Sequence, residues 1–379
     1  MRIWQPENEE ELAALLRGAD QAFAVEGRGS KRALGKPVAA AQTLSLARFS
    51  GIHIYEPEEL ILEAGAATPL AEIQAVLAAR SQHLAFEPPD YSGLLGSSSA
   101  GTIGGVLSCN LSGPRRLSAG AARDHVLRVQ GVSGNGNAFQ AGARVVKNVT
   151  GYDLPKLMAG AFGTLACLTS VTFKVLPRAE MEETLVVPGD DARGAVEVMS
   201  IAVGSACEVS SAAHVPGMGT CLRLEGIAAS VAYRRDRLWQ VISAGGTVLQ
   251  ERDSRALWAS VRDADALPRD EDDVVWKLSV TASDAPRVLD RIKPKSALLD
   301  WAGGLIWLTL PSSDDAGATL VRNAMTSGHA TLMRAPEAVR AAVDVFQPQP
   351  AALAALSARV KRAFDARGIL NPGRMGRGR

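Results

Sequence analysis

Between Gly101 and Gly113 the chain reads Gly-Thr-Ile-Gly-Gly-Val-Leu-Ser-Cys-Asn-Leu-Ser-Gly, four glycines around an apolar run. Glycine at that density serves a backbone that must take positive φ, or that must let another chain or a ligand come close. A second glycine turn, Gly27-Arg28-Gly29-Ser30-Lys31, lies upstream, directly after the apolar Phe23-Ala24-Val25. Several N–H groups in one turn, with Arg and Lys added, suit a diphosphate. Taken alone, either stretch also reads as tight turns in an Ala/Gly-rich protein. Together they point to a nucleotide cofactor.

The common nucleotide fingerprints do not fit. G-x-G-x-x-G fails because Arg32 occupies the third glycine position, and the P-loop pattern fails on spacing. Composition narrows the class further. A chain of 379 residues, 47% of them hydrophobic, buries a sizeable core in two or three domains. A net charge of +1 offers no single-sign field for nucleic acid or an anionic membrane. With no apolar N-terminal run and no stretch of about eighteen apolar residues, the expected location is cytoplasmic; any peripheral docking at the inner face of the membrane would go through partners. Cys109, Cys167, Cys207 and Cys221 show no C-x-x-C spacing and read as buried hydrophobes. A chain of this kind that handles electrons has no cluster of its own to pass them to.

The periodicity predicts a helix over Pro6–Arg17, then a strand over Phe23–Glu26 that enters the first glycine turn. Leu60–Ala64 reads as a strand. A helix follows, with Thr68 as N-cap and Pro69 at its first position. Glu87-Pro88-Pro89-Asp90 is a rigid turn leading to the central glycines. Asn135-Gly136 between Val126–Val132 and Ala138–Ala141 predicts a hairpin, and Ala166–Leu176 a strand that Pro177 ends. Beyond Pro177 glycine thins out. Strands at Val274–Val280, Leu305–Leu310 and Ala330–Met333 alternate with helices at Asp284–Ile292 and Asp314–Met325, which predicts a mixed antiparallel sheet covered by helices. The last helix, about Ala351–Phe364, precedes Leu370-Asn371-Pro372-Gly373.

In order along the chain, these segments resemble the FAD-binding fold of the vanillyl-alcohol oxidase and D-lactate dehydrogenase type, the PCMH-type family. Gly27–Lys31 looks like its pyrophosphate loop. Thr102-Ile103-Gly104-Gly105 with Asn110 and Gly113 matches its second FAD segment. Asp124, Lys147-Asn148 with Gly151-Tyr152-Asp153, and Gly163-Thr164-Leu165 match its third. Leu370–Gly373 is similar to its C-terminal signature. The likeness is strongest to the FAD-binding E subunits of bacterial glycolate oxidases, including Gly328-His329-Ala330-Thr331-Leu332. It implies an α+β chain with a two-part FAD domain at 1–177, an antiparallel-sheet cap at 178–345, and a segment at 346–379 that packs back on the FAD domain. It also implies FAD contacts from Gly27, Arg28, Gly29, Ser30, Lys31, Pro89, Gly101, Thr102, Gly104, Gly105, Asn110, Gly113, Asp124, Lys147, Gly163, Thr164 and Asn371. Gly104-Gly105 is expected to let the chain lie against the bound dinucleotide. Some members attach the flavin through a His in the first glycine turn; this turn has none, so FAD is expected to be non-covalent.

The resemblance further implies oxidation of a 2-hydroxy acid such as glycolate within a hetero-oligomer. The partners would be a paralogous FAD subunit and an iron–sulfur subunit that takes the electrons. Catalytic members carry a cap metal site of clustered histidines, and here His53, His83, His125, His214 and His329 never pair at short spacing, so no metal is expected. The candidate base is His329 and the candidate carboxylate anchor is Arg334; a structural His and a surface Arg are the alternatives. Two other functions stay open: an FAD-holding relay or scaffold beside a catalytic paralogue, and a stand-alone flavin oxidoreductase of the same fold.

Overall fold

The computed structural model describes residues 2–144 and 152–376 of the 379-residue chain. It divides into two compact units. The first takes Met1–Leu111, Gly120–Pro177 and Pro348–Arg379, and the second takes Ser112–Ala119 and Arg178–Gln347. The sequence reading kept 1–177 whole, whereas Ser112–Ala119 belongs with the second unit.

In the first unit, β1 (Arg2–Trp4), β2 (Phe23–Glu26) and β3 (Gln42–Ser45) form a parallel sheet in the order β1-β3-β2. The chain continues through β4 (Ile52–Glu56), β5 (Ile61–Gly65), the two-residue β6 (Gln82–His83), β7 (Val126–Ser133), β8 (Ala138–Gly142), β9 (Ala166–Lys174) and β10 (Leu176–Pro177). Five of these form an antiparallel sheet in the order β4-β5-β9-β7-β8, while β6 pairs with β10. The hairpin stands where Asn135-Gly136 predicts it, with a longer turn. Gly136 N–H donates to Ser133 C=O at 2.9 Å, and Gly136 itself takes φ +79°, the left-handed position of a three-residue loop.

Capping sets the helix starts. The first helix is Glu9–Arg17 because Asn8 Oδ1 accepts from Glu11 N–H at 2.9 Å. Thr68 does not cap the helix Leu70–Ala78. Its hydroxyl is committed to Gly65 C=O at 2.7 Å and accepts from Gly51 N–H at 2.9 Å, so Pro69 stands at the cap position.

The second unit is built on an eight-stranded sheet. Its strands are β11 (Met181–Val187), β12 (Ser211–Val215), β13 (Gly219–Gly226), β14 (Thr247–Gln250), β15 (Val274–Ser279), β16 (Ser296–Asp300), β17 (Leu305–Leu310) and β18 (His329–Arg334). They lie in the order β14-β11-β13-β12-β16-β17-β15-β18, and every pairing is antiparallel. Alternation gives the sheet two different faces. Leu185, Leu222, Leu224, Trp276, Leu278, Ile306 and Leu308 share one core with the helices Ala192–Gly204, Ala228–Ile242, Ala285–Ile292 and Ala318–Ala324. The residues between them in sequence, among them Arg223, Lys277 and Trp307, point to the other face. Among the described residues no helix is long and apolar enough to cross a membrane.

Trp276 is fully buried and its Nε1–H donates to Ala316 C=O at 2.7 Å. Trp276→Ala is expected to cost about 3–5 kcal/mol of stability, from the cavity together with the carbonyl left unpaired. Urea unfolding of the two proteins checks this.

Candidate functional site: a dinucleotide cradle and a cationic aromatic cluster

The first unit brings the separate glycine segments together. β2 delivers the chain into Gly27–Lys31, where Gly29 takes φ +79°. Among the described residues the N–H groups of Arg28, Gly29, Ser30 and Lys31 find no acceptor in the protein. Ser30 and Lys31 are buried and Arg28 is exposed. Burial, and secondarily the charge of Arg374, hold the Lys31 ammonium below the ordinary lysine range; Cys109 and Asp90 act the other way. A run of unsatisfied donors beside a buried cation is a seat for an anion.

Thr102 joins this loop to the central glycines. It is the N-cap of the helix Ile103–Ser108, its Oγ1 accepting from Gly105 N–H at 3.3 Å. A Cβ placed on Gly27 or on Gly105 would lie 3.1 Å from that same Oγ1. A Cβ on Gly101 would meet Leu70 at 3.3 Å and Lys31 Nζ at 3.6 Å, with Asp90 Oδ1 at 3.7 Å, just beyond the buried Pro89. Gly104 packs closely on the protein itself. Its N–H donates to Ala66 C=O at 2.8 Å, and a Cβ there would sit 2.6 Å from both Ala66 Cβ and Ala66 O. A side chain there has no room beside the residue that follows β5.

The third segment and the C-terminus meet at the same strand. Asn371 Oδ1 accepts from Val25 N–H at 2.8 Å, while its Nδ2 donates to Phe162 C=O at 3.0 Å. Gly163, at φ +66°, leaves space that Asn371 Nδ2 fills at 2.9 Å from a built Cβ. Thr164 is buried, its hydroxyl bonded to Ala161 C=O at 2.7 Å. Three other expected contacts have local structural work. Asn110, at φ +47°, accepts from Arg123 N–H at 3.1 Å. Asp124 is half-exposed and accepts from Ala121 N–H at 2.9 Å. Gly113 falls in the second unit, where its carbonyl accepts from Trp301 Nε1–H at 3.0 Å. Lys147 lies outside the described residues.

In the second unit the structure separates the two residues expected to act together. His329 opens β18, is exposed, and pairs with Ser279. Arg334 closes that strand opposite Val275 and donates to Glu271 C=O at 2.6 Å. Five residue steps along the strand set them about 16 Å apart, so one small substrate cannot touch both. Among the described residues no group of three or more His, Cys, Asp and Glu side chains is placed to hold a metal ion.

A different cluster occupies the polar face of the sheet. Lys277 and Trp307 are direct cross-strand partners on β15 and β17. The Lys277 ammonium lies 5.1 Å from the Trp307 ring centroid and 5.3 Å from that of Trp301. Arg116, from the inserted Ser112–Ala119, lies 4.7 Å from the Trp301 ring. Trp301 and Ala302 both take left-handed backbone, at φ +51° and +54°. Two such consecutive residues store strain of about 1–3 kcal/mol each, the kind concentrated at ligand clamps. The turn is held by Asp300 Oδ1, which accepts from Trp301 N–H at 2.7 Å. Burial first, then Arg116, push the Lys277 ammonium down to about 8, with Asp300 acting the other way. Beside the cluster, Arg115 grips Glu225 through two bonds, at 2.8 and 2.5 Å, and Arg223 approaches that carboxylate at 3.5 Å. Burial works against ionisation of Glu225, but Arg223 and Arg115 outweigh it and keep the carboxyl below its usual range. Asp300 is the carboxylate whose charge acts on Lys277. Sequence reading passed over Lys277, although a lone lysine in Val-Val-Trp-Lys-Leu-Ser was a visible signal.

A glycine loop with N–H groups free of protein acceptors on one unit, with an antiparallel sheet as the second, fits an FAD-linked oxidoreductase. Comparison with known proteins agrees. The family described as FAD binding domain matches residues 2–142. The chain is 34% identical over 373 residues to the glycolate oxidase subunit GlcE of Escherichia coli (strain K12), covering 96% of each chain. It belongs to that family of FAD-binding subunits, and FAD is its cofactor. A stretch of 190 residues, 49% of this chain and 41% of the other, is 29% identical to the D-lactate dehydrogenase of Archaeoglobus fulgidus. Alkyldihydroxyacetonephosphate synthase shares the fold, with a TM-score of 0.68 over 98% of this chain and 76% of its own at 15% identity.

Since Gly104 is packed against backbone, Gly104→Ala is expected to destabilise the apoprotein by about 1–3 kcal/mol. Thermal unfolding without FAD tests this. An unchanged apoprotein that no longer takes up FAD would restore the ligand-contact explanation.

Proposed function

We propose that this chain is the FAD-binding subunit of a 2-hydroxy-acid oxidase or dehydrogenase complex, with glycolate as the substrate. The observation that carries the substrate class is the pair of cations, Arg116 and Lys277, around the Trp301 ring. A small carboxylate would pair with both cations, and the rings would pack against its short carbon chain. The relatives' names support the choice: a glycolate oxidase subunit along the full length, and D-lactate and D-2-hydroxyglutarate dehydrogenases over parts of it.

In this reading Gly27–Lys31 holds the diphosphate of a non-covalently bound FAD, with Pro89, Gly101, Thr102, Gly105, Gly163, Thr164 and Asn371 shaping or bracing the cradle. Bound FAD supplies the hydride acceptor, at its N5. Arg116 and Lys277 hold the substrate carboxylate, and Trp301 and Trp307 exclude water from it. Overall the substrate would give its Cα hydride to that acceptor and release its hydroxyl proton to solvent, leaving as the 2-oxo acid. The electrons pass to an iron–sulfur subunit in a complex that also contains a paralogous FAD subunit, and any attachment to a membrane is through those partners.

The separation of His329 from Arg334 favours a second reading, in which this chain holds FAD as a relay and a paralogue oxidises the substrate. Anaerobic addition of glycolate to the FAD-loaded chain decides between them. Bleaching of the flavin band by the chain alone supports the catalytic reading. A band that bleaches only after partner subunits are added supports the relay. On the catalytic reading Lys277→Met is expected to raise the glycolate KM about tenfold or more. A carboxylate binds the protonated lysine, so the affinity of the wild type should fall as pH rises through about 8. Lys277→Met removes the group that titrates there, so it should flatten the profile.

A further inference from the structure

We propose that Arg374 completes the diphosphate seat from the far end of the chain, so that FAD and the C-terminal segment hold each other in place. Arg374 is buried, at 8% exposure. Its Nη2–H donates to Lys31 C=O at 2.5 Å, and its own carbonyl accepts from Lys36 N–H at 3.0 Å, so it lies against the turn that ends the glycine loop. Its charge reaches both Lys31 and Cys109. The carboxylate that acts on Lys31 belongs to Asp90, an exposed position. Two buried cations side by side, next to four N–H groups with no protein acceptor among the described residues, are stabilised by a ligand carrying at least two negative charges. The diphosphate of a dinucleotide has that charge and the length to span loop and guanidinium.

The placement of Arg374 is fixed by a buried latch. Lys361 Nζ donates to Thr164 C=O at 2.6 Å, to Leu370 C=O at 3.0 Å and to the Asp365 carboxylate at 2.6 Å. Asp365 in turn accepts from Ile369 N–H at 3.0 Å and Leu370 N–H at 2.9 Å. Asn371 then ties the chain to β2 three residues before Arg374. Whatever holds Arg374 also steadies the glycine loop, and a ligand that pairs with Arg374 steadies the latch.

Arg374→Gln keeps a donor for Lys31 C=O and removes the charge. Its FAD dissociation constant, read by quenching of flavin fluorescence, is expected to rise about tenfold or more. Inorganic pyrophosphate is expected to raise the Tm of the wild-type apoprotein, to leave Arg374→Gln unmoved, and to regain part of its effect in Arg374→Lys. An FAD affinity within about twofold of wild type overturns the proposal. So does a full pyrophosphate shift in Arg374→Gln, which would make Arg374 a brace only, and so does the absence of a shift in the wild type. Should Arg374→Gln not fold, tryptic cleavage of the wild type beyond Ala351 carries the test. FAD and pyrophosphate are each expected to slow it, and unchanged cleavage overturns the proposal. None of these outcomes depends on which substrate is oxidised.

Discussion

The first unit depends on a backbone contact that allows no side chain: Gly104 N–H on Ala66 C=O at 2.8 Å, with a built Cβ only 2.6 Å from Ala66. That contact docks the helix Ile103–Ser108 onto the end of β5 and so fixes Thr102. Thr102 then stands between Gly27 and Gly105, 3.1 Å from where either would carry a side chain. The glycine loop can leave its N–H groups without protein acceptors because its neighbours hold it from behind.

Charge follows the same pattern in both units. Each places two cations near one another, the buried Lys31 and Arg374 in one and the partly buried Lys277 and Arg116 in the other. Burying a charge costs several kcal/mol unless a partner offsets it, and the fold supplies that offset elsewhere. Glu63 takes Arg128 and Arg144, Glu225 takes Arg115 and Arg223, and Asp365 takes Lys361. In the proposed function Lys31 with Arg374 would meet a diphosphate, and Lys277 with Arg116 a carboxylate.

Much of this was legible in the sequence, for physical reasons that can be named. Glycine loops, the Asn135-Gly136 hairpin and the order of strands and helices after Pro177 are local signals, and each is found where the residues place it. The C-terminal Asn371 was readable only by family resemblance, since its partners Val25 and Phe162 are 346 and 209 residues away. The pairing of His329 with Arg334 failed because spacing along an extended strand was taken for proximity in space. Lys277 and Arg116 were missed because their meeting depends on Ser112–Ala119 joining the second unit, a long-range event with no local signature. The tryptophans they flank, Trp301 and Trp307, are buried.

The central claim is that the four N–H groups from Arg28 to Lys31 grip the cofactor. Amide hydrogen exchange of the chain with and without FAD tests it most directly. The account predicts that these amides exchange freely in the apoprotein and are strongly protected when FAD binds. Full flavin binding with no change in exchange at Arg28–Lys31 would contradict it, and would move the diphosphate to another part of the fold.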